Sequence, residues 1–452
     1  SALTGSIPRA LLTLAIPVLI SQFLRLGYQW VDALWVRGLG VDATAAVTSS
    51  IFVLWLVMSM NDVFAMGVTA YASQLIGAGD RQRAGLVAYR GIQASAALGI
   101  LVAIVGLIAA PRIFGLMGAD PALQHTGGAY LRIVLAAAPF LMVALTCENI
   151  MRAAGDTRTP LLFDFAALGI NAVVAPLLIY GVGPFPRMGV VGAAWGTFFS
   201  QVLLVLFYGI AALRGHAALP LARRSDGRPV GILGMARVGL PVALIGSMFS
   251  VVYIAFARSA SQWGPASMAV VGIANRIEGL QFVWSASLGM ATATLVGQSL
   301  GADRPDRAVA SLRLANLWTA ALSVAASLVI AMWPQVFLSL FSNDPEVIRV
   351  GIPYLRILTL CFVLNGLEIV TAEGILGSGH TRAISLIFTI FSLARIPLAF
   401  LFLYWTGTGV LGIAWVITIT CMVRAVLILA WAARGTWKGG LKSELADTPA
   451  NG

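Results

Sequence analysis

Leu86 to Ala110 reads LVAYRGIQASAALGILVAIVGLIAA, a run with no charged residue after Arg90. A helix rises about 1.5 Å per residue, so roughly 20 apolar residues cross the hydrocarbon of a bilayer. This run is long enough to cross. It is also continuously apolar, whereas a membrane-spanning β-strand alternates apolar and polar positions one by one. Outward from it the same texture recurs: residues 383–404 carry only Arg395, and 318–333 and 410–433 are similar. About twelve such segments are expected, at 10–36, 45–76, 86–110, 126–151, 160–182, 188–213, 233–260, 266–300, 313–333, 352–376, 383–404 and 410–433.

Composition agrees. Of 452 residues, 59% are hydrophobic and 10% charged, with a mean hydropathy of +0.90. A soluble domain carries about 25% charged residues, and this chain has too few to coat one. The net charge of +11 could suggest a nucleic-acid partner, but its placement argues otherwise. Basic residues gather in alternate loops: Arg81, Arg83 and Arg90; Arg152 and Arg158; Arg214, Arg223, Arg224 and Arg228; Arg304, Arg307 and Arg313; Arg382; and Arg434, Lys438 and Lys442. The intervening loops hold fewer. That asymmetry marks cytoplasmic loops. It predicts a multi-pass protein of the cell's inner (cytoplasmic) membrane with both termini in the cytoplasm and no nucleic-acid partner.

The chain also repeats itself. Tyr130-Leu131-Arg132-Ile133 returns as Tyr354-Leu355-Arg356-Ile357, and Asp120-Pro121 as Asp344-Pro345, both at an offset of 224. Gln74, Gly77, Arg83 and Pro17 recur at the same distance as Gln298, Gly301, Arg307 and Pro241. Each copy holds six segments. An even number returns the chain to the side it started from, so the copies are parallel repeats about an axis along the membrane normal. The expected organisation is an all-α membrane protein of twelve transmembrane helices in two six-helix lobes: an N-lobe at 1–213, a cytoplasmic linker at 214–232, a C-lobe at 233–433 and a cytoplasmic tail at 434–452.

Several chemistries find no support. The sequence has no Gly-x-x-x-x-Gly-Lys phosphate loop and no His-Glu-x-x-His, and its histidines are only His125, His216 and His380. No nucleophile–base pair or metal cluster is visible, so neither an enzyme nor a cofactor is expected. Cys147, Cys361 and Cys421 all fall within apolar segments, as small buried residues rather than a disulfide framework.

The stretch Arg152-Ala153-Ala154-Gly155-Asp156-Thr157-Arg158-Thr159-Pro160 resembles the loop signature of the MATE (multidrug and toxic compound extrusion) family. Gln74 to Asp80 is similar to that family's loop between helices two and three, and Gly192-Ala193-Ala194-Trp195-Gly196-Thr197 to the start of its sixth helix. Asp156 and Thr157 also make a sound helix start ahead of Pro160. The resemblance implies a secondary active exporter that moves cationic amphipathic small molecules by alternating access, against a proton or, alternatively, sodium. It implies no cofactor and a monomer as the working unit. The rival reading is a lipid-linked oligosaccharide flippase of the same superfamily, for which Arg25, Arg276, Arg395 and Arg424 would supply intramembrane positive charge.

Ionisable groups inside a membrane are costly and therefore candidates for function. The acidic ones are Asp32, Asp62, Glu148, Asp164, Glu278, Glu368 and Glu373. Glu148, Asp164 and Glu373 lie toward expected helix ends, where a capping or interfacial role is the plainer reading. Asp32 sits in the first helix among Tyr28, Gln29, Trp30 and Trp35, a polar and aromatic mixture suited to a cavity wall. The plainer alternative is that Asp32 pairs with Arg25. The family resemblance implies a cation or proton site of Asp32, Asn171, Thr197 and the Ala193 carbonyl, with Pro17 as a bend in helix one. It also implies an aspartate at position 175, where this chain has Ala175; Asp164 or Asp62 could replace that charge. Tyr28, Gln29, Trp35, Glu278 and Glu368 are the candidates for the substrate cavity. Asp32→Asn is expected to abolish protection against toxic cations at normal expression; protection that persisted would remove Asp32 from the site.

Overall fold

A computed structural model describes residues 3, 5–37, 39, 41–116, 121–222, 230–261, 263–405 and 409–445. Among the described residues there is helix and no strand. In chain order the helices are α1 (Ile7–Arg37), α2 (Val41–Gly77), α3 (Arg81–Leu116), α4 (Pro121–Ala136), α5 (Ala138–Ala153), α6 (Arg158–Tyr180), α7 (Val190–Leu213), α8 (Ile232–Ser261), α9 (Pro265–Gly301), α10 (Pro305–Met332), α11 (Pro334–Ser339), α12 (Pro345–Thr359), α13 (Phe362–Leu376), α14 (Arg382–Trp405), α15 (Leu411–Ala433) and α16 (Lys442–Leu445). Helix is the expected solution, because a backbone in lipid must satisfy its own hydrogen bonds.

Among the described residues, nine helices are long and apolar enough to span a bilayer, and two bent pairs, α4 with α5 and α12 with α13, raise the number to eleven. With α8, whose stretch Ile232–Met248 is apolar, these make the twelve segments read from the sequence. The outward faces are apolar as lipid requires: Ile100, Leu101, Ile104, Val105 and Ile108 of α3 are all exposed.

The two bends were not visible in the sequence. α4 and α5 meet at 44° about Ala137, and α12 and α13 at 52° about Leu360 and Cys361. Ala137 and Cys361 are 224 residues apart, so both copies break at the same place. Pro139 follows the first break and removes a helix donor there. The second break has no proline and is closed by short-range bonds from the Leu360 and Cys361 amides to Ile357 and Leu358. The repeat also shows in a turn: Gly79 and Asp303, again 224 apart, both adopt positive φ, at 83° and 59°. Aspartate is one of the few residues that tolerates this conformation.

The chain forms two compact units. The N-unit is Ile16–Ala243 with Lys442–Gly452, and the C-unit is Ser1–Ala15 with Leu244–Leu441. The partition departs from strict halves in three places. The opening of α1 packs in the C-unit, with Leu11 and Leu14 against Leu288, Leu295 and Ala315. The opening of α8 packs in the N-unit, and so does the short α16. Within each unit the neighbours correspond. In the N-unit α3 lies on α4 and α5, α6 on α7, and α2 on α3 and α5; in the C-unit α10 lies on α12 and α13, α14 on α15, and α9 on α10 and α13. The N-unit core holds Val57, Val102, Leu131, Leu135 and Met142. The C-unit core holds Phe256, Ile277, Tyr354, Leu358, Phe362 and Ile417.

Inside lipid there is little hydrophobic gain from bringing helices together, so close packing of small residues carries association. In the N-unit a side chain at Gly239 of α8 would overlap the Asp62 and Val63 carbonyls of α2, and one at Gly67 of α2 would overlap Met235 of α8. Each glycine makes room for the opposite backbone. Gly239→Leu is therefore expected to lower the thermal midpoint in detergent by several degrees and reduce folded yield. Gly209→Ala, where an added Cβ meets nothing within 4 Å, should leave both unchanged.

Candidate functional site

Four ionised side chains meet inside the N-unit. Glu148 and Arg152 lie one turn apart on α5, so they share a face, and they form an ion pair. Arg25 of α1 reaches the other oxygen of Glu148. The Arg25 guanidinium also lies 3.8 Å from Oδ2 of Asp164 on α6. Glu148 is thus held by two guanidinium groups, with only 3% of its side chain exposed. Asp164 has one distant guanidinium and a hydrogen bond with Ser21. Its Oδ2 is buried and makes no hydrogen bond among the described residues.

Arg25, Glu148 and Asp164 border a cavity of about 200 Å³ within the N-unit. Its apolar wall includes Leu24, Leu54, Trp55, Met58, Leu141, Leu145 and Leu204. Its polar wall is Arg25, Glu148, Asp164, Thr197, Ser200, Gln201 and Tyr208. Among the described residues, three buried polar atoms on this one wall, Asp164 Oδ2, Gln201 Oε1 and the Tyr208 hydroxyl, have no hydrogen-bond partner. A buried polar group without a partner costs free energy, and three facing one space mark where a polar ligand or water completes the structure. The mixture of apolar and aromatic lining with a few convergent polar groups is the usual composition of a small-molecule pocket.

The candidates read from the sequence fall in several places. Asp164 and Thr197 line the cavity together. Asn171 is fully buried on α6. The Ala193 carbonyl accepts the Thr197 hydroxyl at 3.3 Å, and the Ala193 side chain packs in an apolar cluster with Ala175, Val190 and Val36. Ala175 is fully buried and packs closely on α7, where a side chain at Gly196 would meet its Cβ at 2.9 Å. Asp62 does not line the cavity; its part of α2 faces α8. Trp35 packs against the same apolar cluster, and its carbonyl accepts the Tyr180 hydroxyl at 2.7 Å. Pro17 lies inside α1, two residues past the point where the helix passes from one unit to the other. The side chains of Asp32, Tyr28 and Gln29 lie outside the described residues. Arg25, read as a possible partner of Asp32, is engaged with Glu148 and Asp164; the pairing with Asp32 itself lies outside the described residues. At the loop signature, Asp156 does cap α6 through the Arg158 and Thr159 amides, whereas Thr157 makes no side-chain cap.

Glu278 and Glu368 belong to the C-unit. Glu368 of α13 is buried and pairs with Arg424 of α15 at 2.5 Å. Arg424 also stacks on Phe388 at 3.9 Å. Arg395 of α14 donates to Thr420 at 2.9 Å and to Cys421 at 2.8 Å. This is a second buried polar network. Among the described residues no group of His, Cys, Asp and Glu has the arrangement of a metal site.

A two-unit bundle of membrane-spanning helices, duplicated in sequence, with buried ion pairs against a small-molecule cavity, defines a polytopic membrane carrier. The MatE family model matches residues 17–177 and again 241–401, two stretches separated by the same 224 residues as the repeat. The chain belongs to the MatE family of transporters. It is 27% identical over 95% of its length to an FAD transporter of Shewanella oneidensis, 95% of which is covered. It is 24% identical over 96% of its length to the probable multidrug resistance protein NorM of Thermotoga maritima, 93% of which is covered. Among solved structures, a MOP-superfamily transporter from Pyrococcus furiosus, described as having reversed binding-pocket polarity, superposes with a TM-score of 0.88 at 26% identity, covering 96% of this chain and 97% of that one. A MATE structure in a bent conformation gives 0.89 at 26% identity, covering 95% and 96%.

Glu148 compensates two buried cations, so Glu148→Gln is expected to destabilise the N-unit by about 3 kcal/mol, as unpaired buried charge does. Asp164→Asn, which frees no second cation, should cost less than half as much. Thermal unfolding of the two variants in the same detergent measures the difference, and equal losses would contradict this division of roles.

Proposed function

We propose that this chain is a secondary active exporter that expels small amphipathic compounds, cationic ones foremost, in exchange for protons. The carrying observation is the N-unit cavity, where an apolar and aromatic wall surrounds Asp164, a carboxylate with a buried oxygen that lacks a hydrogen bond. The two carboxylates on the wall are balanced by Arg25 and Arg152, and Asp164, the more loosely held of the two, is the one placed to meet a cation. Glu148 is occupied by Arg25 and Arg152, and protonating it would strand both. Asp164 can gain a proton at the expense of a single long ion pair. Among the described residues Asp164 is thus the group over which proton and cationic substrate compete, beside Asp32 of the expected site, and that competition is reciprocal by linkage. Sodium is the less favoured ion, because such a site benefits from clustered oxygen ligands and negative charge, and Ala175 leaves an apolar contact where the family site has a carboxylate.

The flippase reading needs uncompensated positive charge to hold a pyrophosphate. Arg25 and Arg424 are each paired with a carboxylate, which counts against it. Alternating access places the working substrate path in a single chain, and a monomer suffices. The cytoplasmic membrane and cytoplasmic termini follow from the loop charges.

Efflux of ethidium from reconstituted vesicles, under a pH gradient and a sodium gradient imposed separately, tests this reading. Movement driven by the pH gradient and reduced at least tenfold by Asp164→Asn is expected. Movement only with sodium would refute proton coupling. Transport of a flavin dinucleotide but not of ethidium would refute the cationic preference.

A further inference from the structure

The basic end of α10 carries Arg304, Arg307 and Arg313. The first two are engaged: Arg304 donates to the Leu3 carbonyl at 3.0 Å and Arg307 to the Gly5 carbonyl at 2.7 Å. Arg313 differs. It lies at the membrane end of the apolar stretch and, among the described residues, makes no ion pair or side-chain hydrogen bond. Beside it a 3-10 turn, Thr436–Gly439, packs on α10 and carries Lys438, whose ammonium is likewise without a partner. The turn is fixed in place. Trp437 is 2% exposed, and its indole nitrogen donates to the Ala432 carbonyl at 2.9 Å.

Between the turn and α10 runs an open groove of about 530 Å³, bordered by Asp306, Arg313, Leu314, Leu317 and Lys438. The α10 residues recur every three or four positions and so line a single helix face. The face is graded: Asp306 and Arg313 are about 10 Å apart along the axis, and beyond Arg313 lies Leu317, 65% exposed. Charge thus sits at one end and apolar surface at the other. The groove's two cations and one anion leave one positive charge in excess.

We propose that this groove is a binding site for a singly anionic phospholipid, with the phosphodiester between Arg313 and Lys438 and an acyl chain along Leu314 and Leu317. The excess charge matches one phosphodiester. The apolar continuation sets the two cations at the edge of a lipid-facing surface, which favours the headgroup of a lipid over a free anion. A basic residue near a membrane surface contributes to anionic-lipid affinity, and a guanidinium is well shaped to take two phosphate oxygens.

The test uses the full chain in detergent micelles doped with phosphatidylglycerol or phosphatidylcholine at equal mole fraction, with retained lipid counted by native mass spectrometry. One phosphatidylglycerol held in preference to phosphatidylcholine is expected, with its affinity falling about tenfold or more in R313Q/K438Q. Arg214→Gln, an exposed arginine of the N-unit, should leave retention unchanged. Should the double variant unfold, R313Q alone is read, with a smaller loss expected. Equal retention of the two lipids, an equal loss in Arg214→Gln, or displacement of the lipid by millimolar inorganic phosphate would each overturn the proposal.

Discussion

Charge neutralisation inside an apolar lobe is the constraint on which the rest of this structure hangs. A guanidinium or carboxylate placed among membrane helices must find its counterpart, because neither lipid nor packed side chains can solvate it. Arg25, Glu148, Arg152 and Asp164 answer this by drawing α1, α5 and α6 to one point. The arrangement is unequal by construction. Glu148 has two partners and fixes the helices; Asp164 has one at a distance and faces the cavity. The firmly held and the loosely held carboxylate lie only 16 residues apart in the chain.

The duplication preserves the scaffold and not this chemistry. At the offset of 224, the four charged positions of the N-unit fall on Phe249, Ala372, Leu376 and Phe388. The C-unit builds its own polar network from Glu368, Arg395 and Arg424, and Arg395 stands where the first copy has Asn171. Helix neighbours, paired bends and the left-handed turn at Gly79 and Asp303 are shared. What is common between the copies is therefore backbone geometry, and each unit has its own electrostatics.

The twelve segments and the repeat were legible because both are carried by local composition and by a register that survives in the letters. The bends were not, because apolarity runs through Ala137 and Cys361 without interruption and only one of them is followed by a proline. The ion-pair cluster was half legible. Each charge could be listed, but Arg25 and Glu148 are 123 residues apart, and nothing local joins them. Glu148 near a helix end reads as a capping or interfacial carboxylate, whereas it pairs with Arg152 on its own helix and with Arg25 of α1. The signal that was available was the i, i+4 pair of Glu148 with Arg152, an opposite-charge couple inside an apolar segment, which a lipid-facing helix would not carry. Ala175 is legible as a departure from the family pattern, but its close contact with α7 at Gly196 is visible only in the packing.

The passage of α1 from one unit into the other has a consequence for how the chain is made. Leu11 and Leu14 find their partners at Leu288 and Leu295, about 280 residues further along. At a synthesis rate of ~5–20 residues per second, that separation corresponds to a wait on the order of 14–56 s. The opening of α8 has no such delay, since α2 already exists when it emerges. The newborn protein therefore has one unattached apolar end for most of its synthesis, and the insertion machinery or the lipid itself must shelter that end until the second half arrives to receive it.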